Sequence, residues 1–180
     1  GRFDAEKAYY LLEKYGVRNS FLFPTALKLM MKAVPEPRSR YAISLRSVMS
    51  AGESVGVTVI EWAREQLGVT INEMFGQTEI NYVVGNCQAA WPVKPGSIGR
   101  PYPGHRVEII DDKGNQVPRG ELGEIAIHRK DDPVFFLEYW KNPDATREKF
   151  IGDWGCTGDQ GRMDEDGYIW IIGRIDDVIK

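Results

Sequence analysis

Helix-like and strand-like segments alternate over the first part of the sequence, and this alternation restricts the fold that the chain can adopt. Asp4 can cap a first helix, and Gly16 and Gly68 can end the first and third helices. The predicted helices span residues 4–15, 26–34 and 57–67, and the predicted strands span residues 17–23, 45–50 and 69–74. Because strands that alternate with helices usually form a parallel sheet covered by those helices, this order predicts a doubly wound α/β layer.

Helical periodicity fades after residue 85, and turn-forming residues become frequent. Residues 106–110 alternate between polar and apolar side chains, and residues 124–128 form a suitable partner strand for a hairpin. Further predicted elements are a short helix over residues 143–150 and a final strand over residues 168–172. We therefore predict an α/β subdomain over residues 1–85 and a β-rich, barrel-like subdomain over residues 86–175.

The composition indicates a folded protein without a nucleic-acid or membrane partner. Hydrophobic residues make up 42% of the 180 residues, which is enough for a core. The net charge is -3 and the positive charges form no run, so nucleic-acid binding is not indicated. No apolar segment approaches the roughly 18 residues that a membrane span needs. Cys87 and Cys156 fit no metal-binding spacing and are expected to be reduced thiols, which predicts a cytoplasmic location.

Residues 52–56 read Gly-Glu-Ser-Val-Gly, which matches the Gly-x-Ser-x-Gly pattern of a hydrolase nucleophile. A triad of Ser54, Asp111 or Asp112, and His128 is available in this order in the sequence. However, His128 ends an alternating β segment, and no His-Gly-Gly-type segment that could form an oxyanion hole precedes Ser54. A strand-to-helix turn that approaches a ligand is the favoured interpretation, and an esterase is the alternative.

Residues 72–79, with the sequence NEMFGQTE, lie at the end of a predicted strand. Ligands bind at the carboxyl ends of strands in open α/β sheets. The carboxylate of Glu79 is a suitable ligand for Mg2+, and the ring of Phe75 offers a flat apolar face for a base. Thr78 can donate a hydrogen bond to a phosphate oxygen. Taken alone, the same segment also fits a loop that buries a phenylalanine.

The last 24 residues contain a second group of polar candidates. Asp159 follows Gly158, and a carboxylate held in this way can accept hydrogen bonds from the two hydroxyl groups of a ribose. Arg174 is a permanent, fork-shaped cation that suits phosphate or ribose oxygens. Taken alone, this segment also fits a hairpin with ordinary surface charges.

Four segments occur in one order along most of the chain: SAGES, NEMFGQTE, GELGEIAI and TGDQGRMDEDGYIWIIGRIDDVIK. Together they resemble the adenylate-forming (AMP-binding) superfamily, and most closely its short- and medium-chain acyl-CoA synthetases, which are similar to acetyl-CoA synthetase. The resemblance implies the fold of the large domain of these enzymes. It also implies an enzyme that activates a carboxylic acid with Mg-ATP to an acyl-adenylate and transfers the acyl group to coenzyme A.

The resemblance further implies roles for individual residues. Phe75 would stack on the adenine, Asp159 would hold the ribose hydroxyls, and Glu79 would bind Mg2+. Thr78, Glu79 and Arg174 would act in catalysis. The implied nucleotide contacts are Gly52, Glu53, Ser54, Asn72, Glu73, Met74, Phe75, Gly76, Gln77, Thr78, Asp159, Ile171 and Arg174. Residues 176–180 would begin the interdomain hinge, with Asp176 at the hinge position.

The sequence departs from the family pattern in ways that limit what it can do alone. The upstream phosphate loop and the catalytic lysine of the family are absent from these residues, and the chain stops at the implied hinge. We therefore expect an internal piece of a longer enzyme, with little activity by itself. Gly76 stands where acetate-specific relatives have tryptophan, which suggests space for an acid longer than acetate.

Three other functions remain as alternatives: an adenylation domain that loads a carrier protein, a non-catalytic nucleotide-binding fragment, and the Ser54 esterase. The identity of the acid and the oligomeric state are left open by the sequence.

Overall fold

The structure is a computed structural model that describes residues 3–130, 132 and 134–175. The chain forms two compact units, one of Gly1–Met74 with Asn86–Gly96 and one of Phe75–Gly85 with Ser97–Lys180. The subdomain boundaries given in the sequence analysis stay a prediction.

The first unit combines helices with parallel strands. Its helices are α1 (Ala5–Lys14), α2 (Pro24–Ala33) and α3 (Val57–Trp62), and its strands are β1 (Asn19–Phe21), β2 (Ser47–Ser50) and the start of β3 (Ile71–Gln77). A 3-10 turn at Pro37–Ser39 and a π-helical turn at Ala63–Leu67 lie between them. Strand β2 pairs in parallel with both β1 and β3, as the alternation of elements predicts.

Local sequence signals set the ends of these helices. The Asp4 side chain accepts a hydrogen bond from the Lys7 backbone N–H at 3.0 Å and caps α1. Pro24 lies in the first turn of α2, where its missing N–H leaves no helical bond unmade. Gly68 follows the π-helical turn with a φ of 67°, a left-handed conformation that ends the helix.

The core of the first unit joins the helices to the parallel strands. Tyr9, Leu27, Val48, Ile60 and Ile71 are at most 1% exposed and belong to one apolar cluster. Because these residues come from three helices and two strands, their burial fixes the helices against the sheet.

The second unit is dominated by antiparallel strands. Its elements are β4 (Asn81–Gly85), β5 (Arg100–Pro101), β6 (Val107–Ile110), β7 (Gly123–His128), α4 (Pro143–Glu148), β8 (Phe150–Ile151), β9 (Trp154–Met163) and β10 (Ile169–Arg174). One sheet has the order β10-β9-β7-β6, with β8 paired to β9, and β4 pairs with β5. The predicted fold class, an α/β layer followed by a β-rich part, is confirmed.

Strand β9 is ten residues long, but local sequence patterns do not predict a strand at these positions. It contains Gly155, Gly158 and Gly161, and glycine normally weakens a strand. Here the neighbours approach too closely for a side chain: a Cβ at Gly161 would lie 2.7 Å from the Trp170 carbonyl oxygen, and one at Gly155 would overlap the Phe135 ring. Glycine is therefore required for β9 to pair and pack as it does.

None of the helices among the described residues is long and apolar enough to cross a membrane. Cys87 and Cys156 are free thiols in the structure.

Candidate functional site

The loop after β2 presents Gly52, Glu53 and Ser54 at the surface of the first unit. Gly52 has a φ of 101°, a backbone conformation that favours glycine. The carboxylate of Glu53 accepts a hydrogen bond from the Thr25 hydroxyl at 2.6 Å and lies 4.0 Å from the Lys28 ammonium. Helix α2 therefore fixes the direction of Glu53, whereas Ser54 stays exposed.

Glu73 holds the same loop in place through a buried hydrogen bond within the first unit. Its side chain is buried, and its carboxylate accepts a hydrogen bond from the Val55 N–H at 2.9 Å. Burial raises the pKa of Glu73, although the Val55 N–H acts in the opposite direction. The resemblance assigns Glu73 to the nucleotide, but in the structure its side chain supports the loop.

Asn72 and Met74 lie on either side of Glu73, and neither side chain is fully exposed. The side-chain oxygen of Asn72 accepts a hydrogen bond from the Gln88 backbone N–H at 2.8 Å, which ties β3 to the segment 86–96. The Met74 side chain is 8% exposed. The Asn72 side chain therefore stabilises the first unit, and the nucleotide contacts of Asn72 and Met74 stay a prediction.

The contacts of Asp111 and of the two histidines give no support to the esterase alternative. The Asp111 carboxylate accepts hydrogen bonds from two backbone N–H groups of its own turn, at 2.9 and 2.8 Å. The His128 ring packs edge-on against Trp154, with 5.1 Å between centroids. The imidazole of His105 lies 2.6 Å from the Asp132 carboxylate, but neither residue belongs to the triad considered from the sequence.

Gln77 is the centre of a polar network in the second unit. Its amide nitrogen donates hydrogen bonds to the Thr157 carbonyl oxygen at 2.7 Å and to the Asp159 carboxylate at 3.0 Å. Its amide oxygen accepts a hydrogen bond from the Lys149 ammonium at 3.1 Å. Gln77 therefore links the end of β3 to β9, although 82 residues separate Gln77 from Asp159.

Asp159 is held on its other side by Arg174. One guanidinium nitrogen of Arg174 lies 2.9 Å from the Thr157 carbonyl oxygen and 3.5 Å from the Asp159 carboxylate. The Asp159 side chain is 12% exposed and the Arg174 side chain 45% exposed. Because an ionised carboxylate has about four lone-pair positions, Asp159 can keep these partners and still accept hydrogen bonds from a ligand.

The backbone conformation at Gly158 departs from regular strand geometry, and this departure sets the direction of the Asp159 side chain. Gly158 has a φ of 76°, and its N–H donates a hydrogen bond to the Glu124 carboxylate at 2.7 Å. A Cβ at Gly158 would lie 2.7 Å from the Arg174 guanidinium. Glycine therefore allows both the left-handed conformation and the close approach of Arg174. The pairing register of β7 with β9 also shifts at this point, as expected for a bulge that redirects a side chain.

Glu79 lies in the turn between β3 and β4, and two residues of a later segment hold it. Its carboxylate accepts a hydrogen bond from the Tyr139 hydroxyl at 2.5 Å, and its carbonyl oxygen accepts one from the Phe136 N–H at 2.8 Å. Burial acts to raise the pKa of Glu79, but the Tyr139 hydroxyl, the backbone and the Lys149 ammonium outweigh it and lower the pKa. Glu79 is therefore ionised at neutral pH.

The remaining candidates on and near β3 have different environments. The Phe75 ring is half-buried against the core of the second unit, and Thr78 is exposed. Ile171 on β10 is 37% exposed. A Cβ at Gly76 would overlap the Asn81 carbonyl oxygen. The backbone of β4 therefore lies directly against Gly76, and the space for an acid longer than acetate stays a prediction.

Asp176, the predicted hinge residue, lies outside the described residues. The sequence motifs do not indicate three residues of the network: Tyr139, Lys149 and Thr157. The aromatic residues at positions 135, 136, 139 and 140 are the signal in the sequence that points to Tyr139.

The chemistry of the network suits a nucleotide with bound Mg2+. Within the described residues, no group of three or more His, Cys, Asp or Glu side chains could hold a metal ion. Mg2+ is usually bound by one or two carboxylates together with substrate phosphates, so a single ionised carboxylate such as Glu79 fits this ion.

Comparisons with known proteins agree on one family. The model of the family described as "AMP-binding enzyme" matches residues 1–140. An uncharacterized acyl-CoA ligase of Bacillus subtilis, YtcI, is 41% identical over 180 residues, which are 99% of this chain and 33% of that protein. The chain thus spans about a third of the length of this relative.

Solved structures give the same result. The crystal structure of an acyl-CoA synthetase from Brucella canis matches with a TM-score of 0.89 and 38% identity, over 99% of this chain and 33% of that chain. The crystal structure of the anthranilate CoA ligase AuaEII in complex with anthranoyl-AMP matches with a TM-score of 0.84 and 30% identity, over 98% of this chain and 33% of that chain.

Proposed function

The chain belongs to the AMP-binding enzyme family, and from this premise we propose that the intact protein is an AMP-forming acyl-CoA synthetase. It activates a carboxylic acid with Mg-ATP to an acyl-adenylate and then transfers the acyl group to coenzyme A. The observation that carries the proposal is a network in which Gln77 binds Asp159 and Lys149, and Arg174 binds the same Asp159. A cytoplasmic location is part of the same proposal.

In this reaction Asp159 accepts hydrogen bonds from the ribose hydroxyls. Gln77 and Arg174 hold its carboxylate before the ligand arrives, so that little ordering is needed on binding. Arg174 is nearly half exposed and can also reach a ribose or phosphate oxygen. Such residues act by positioning and by charge, and no protein nucleophile is required.

Glu79 is the residue that would bind Mg2+, and Thr78 beside it is exposed and can donate a hydrogen bond to the α-phosphate. The bound ion would neutralise negative charge that develops on the phosphate oxygens. Lys149 contributes a second positive charge close to the same carboxylate. Gly52, Glu53 and Ser54 keep their assignment to the nucleotide as part of the proposal.

The test is ATP–pyrophosphate exchange by the intact protein with a panel of carboxylic acids. Asp159→Ala should raise the KM for ATP at least about tenfold, because each hydrogen bond to a charged group contributes about 1.5–3 kcal/mol. Asp112→Ala, which removes an exposed carboxylate of the β6–β7 turn, is the matched control and should leave the KM unchanged.

The outcomes separate the alternatives. Exchange followed by thioester formation with free coenzyme A supports the synthetase. Exchange without any thioester on free coenzyme A indicates an adenylation domain that loads a carrier protein. No exchange with any acid of the panel contradicts the proposal and favours a non-catalytic nucleotide-binding protein.

A further inference from the structure

Tyr139 makes the shortest of the contacts that hold Glu79. Its hydroxyl donates to one carboxylate oxygen of Glu79 at 2.5 Å. Three residues earlier, the Phe136 N–H donates to the Glu79 carbonyl oxygen at 2.8 Å. The segment from Phe136 to Tyr139 thus fixes both the backbone and the side chain of Glu79.

The position of Tyr139 is itself determined by neighbours on two sides. Its backbone N–H donates a hydrogen bond to the Thr146 hydroxyl in α4 at 2.9 Å. Its ring packs on the Phe136 ring with 4.8 Å between centroids, and Phe136 stacks on Phe150 at 5.9 Å. The hydroxyl is therefore aimed at Glu79 by a packed aromatic group and does not depend on a flexible chain.

The hydrogen bond leaves Glu79 able to bind a cation. A carboxylate offers about four lone-pair positions, and the hydroxyl uses one of them. An outer partner of this kind limits the rotation of a metal-binding carboxylate, and removing such a partner typically weakens metal affinity about 10-fold to 100-fold.

We propose that Tyr139 is a positioning residue that orients the carboxylate of Glu79 toward the divalent cation of the nucleotide complex. This inference rests on the proposed function, because it assigns to Glu79 the binding of Mg2+. Neither the sequence motifs nor the resemblance indicated a role for Tyr139.

The experiment uses the intact protein with Mn2+ and α,β-methylene-ATP, and it measures the dissociation constant of Mn2+ by electron paramagnetic resonance. Tyr139→Phe keeps the ring and its packing but removes the hydroxyl, and it should raise this constant about tenfold. Tyr15→Phe, at an exposed tyrosine of the first unit, is the matched control and should leave the constant unchanged.

Two further measurements separate positioning from a general loosening of the site. Binding of α,β-methylene-ATP in EDTA should be unchanged by Tyr139→Phe, since that binding does not involve the cation. In a Glu79→Gln background, Tyr139→Phe should have no additional effect on Mn2+ affinity, because it acts through Glu79. An equal weakening of nucleotide binding in EDTA, or the same loss of Mn2+ affinity in both backgrounds, overturns the inference.

Failure of the inference and failure of the proposed function give different results. If the wild-type protein binds Mn2+ with the nucleotide analogue but Tyr139→Phe has the same affinity, the inference alone is wrong. If the wild-type protein binds no Mn2+ with the analogue, the proposed function is wrong and the inference falls with it.

Discussion

The buried carboxylate of Glu73 should control the order of the loop that carries Gly52, Glu53 and Ser54. Glu73→Ala removes the acceptor of the Val55 N–H, and Val55 is only 1% exposed. A buried donor that loses its partner costs about 1–3 kcal/mol. Local opening of the loop exposes the Val55 N–H to water and so removes this cost. The equilibrium constant for opening should therefore increase roughly 5-fold to 150-fold, since about 1.4 kcal/mol corresponds to a factor of ten.

Hydrogen–deuterium exchange of the intact protein measures this opening directly. The peptide that contains Val55 should exchange faster in Glu73→Ala by the factor given above. Glu73→Gln retains an oxygen that can accept from the Val55 N–H, so its exchange should stay near that of the wild type. Glu61→Ala, at an exposed carboxylate of α3, is the surface control. Equal exchange of that peptide in wild type and Glu73→Ala would refute the assignment of Glu73 as the residue that fastens the loop.

The same residue predicts a pH dependence of stability. Burial raises the pKa of Glu73 above its ordinary 4.5, so the folded protein binds this proton more tightly than the unfolded chain does. The stability that Glu73 contributes is therefore fully present below pH 4.5 and is lost as the pH rises through the raised value. Glu73→Gln cannot lose a proton, so its stability relative to the wild type should increase across that pH range. A constant difference between the two proteins in urea unfolding at several pH values would contradict this reasoning.

Three further predictions follow from contacts in the second unit. Gly76→Ala should destabilise the intact protein by about 1–3 kcal/mol in urea unfolding, because its Cβ would overlap the Asn81 carbonyl oxygen; unchanged stability would contradict this packing. Burial, followed by the nearby Glu124, raises the pKa of Cys156 to about 12, so its thiolate fraction at pH 8 is roughly a thousandfold below that of an ordinary thiol. Mass spectrometry should therefore find very slow labelling of Cys156 by iodoacetamide, and rapid labelling would contradict the raised pKa. Lys149→Met should raise the KM for ATP in pyrophosphate exchange about tenfold, with rescue by Lys149→Arg, because it removes a positive charge beside Glu79; an unchanged KM would exclude that role.

Local patterns predicted the regular elements of the first unit well, because their signals are local. Asp4, Pro24 and Gly68 act on the backbone within a few residues of themselves, and each fixes the end of a helix. Strand β9 could not be predicted in the same way, since its glycines argue against a strand until the neighbouring strands are known. The close approach of the Trp170 carbonyl to Gly161 is a property of the sheet and cannot be read from residues 154–163 alone.

In the site, too, single residues could be predicted from local motifs, whereas contacts between distant segments could not. The motifs predicted Glu79 and Asp159 as candidates, because carboxylates next to glycine or at a strand end have recognisable surroundings in the sequence. They could not predict that Gln77 would join Asp159 to Lys149, because these three residues come from separate segments. Tyr139 was missed for the same reason: its partner Glu79 lies 60 residues earlier in the chain.

Contacts within the protein itself explain several glycines of the motifs without any contact to a ligand. Gly76 and Gly161 are required because the protein's own backbone approaches them, and Gly158 allows both a left-handed turn and the contact with Arg174. Substitutions at these positions therefore test the fold before they test the chemistry, and a loss of activity there would not identify a ligand contact. Asp159 and Glu79 are different, since each is held by neighbours and keeps lone pairs for a ligand. It follows that conservative changes at these two carboxylates, measured together with changes at Gln77 and Tyr139, are the substitutions that distinguish a nucleotide site from a structural network.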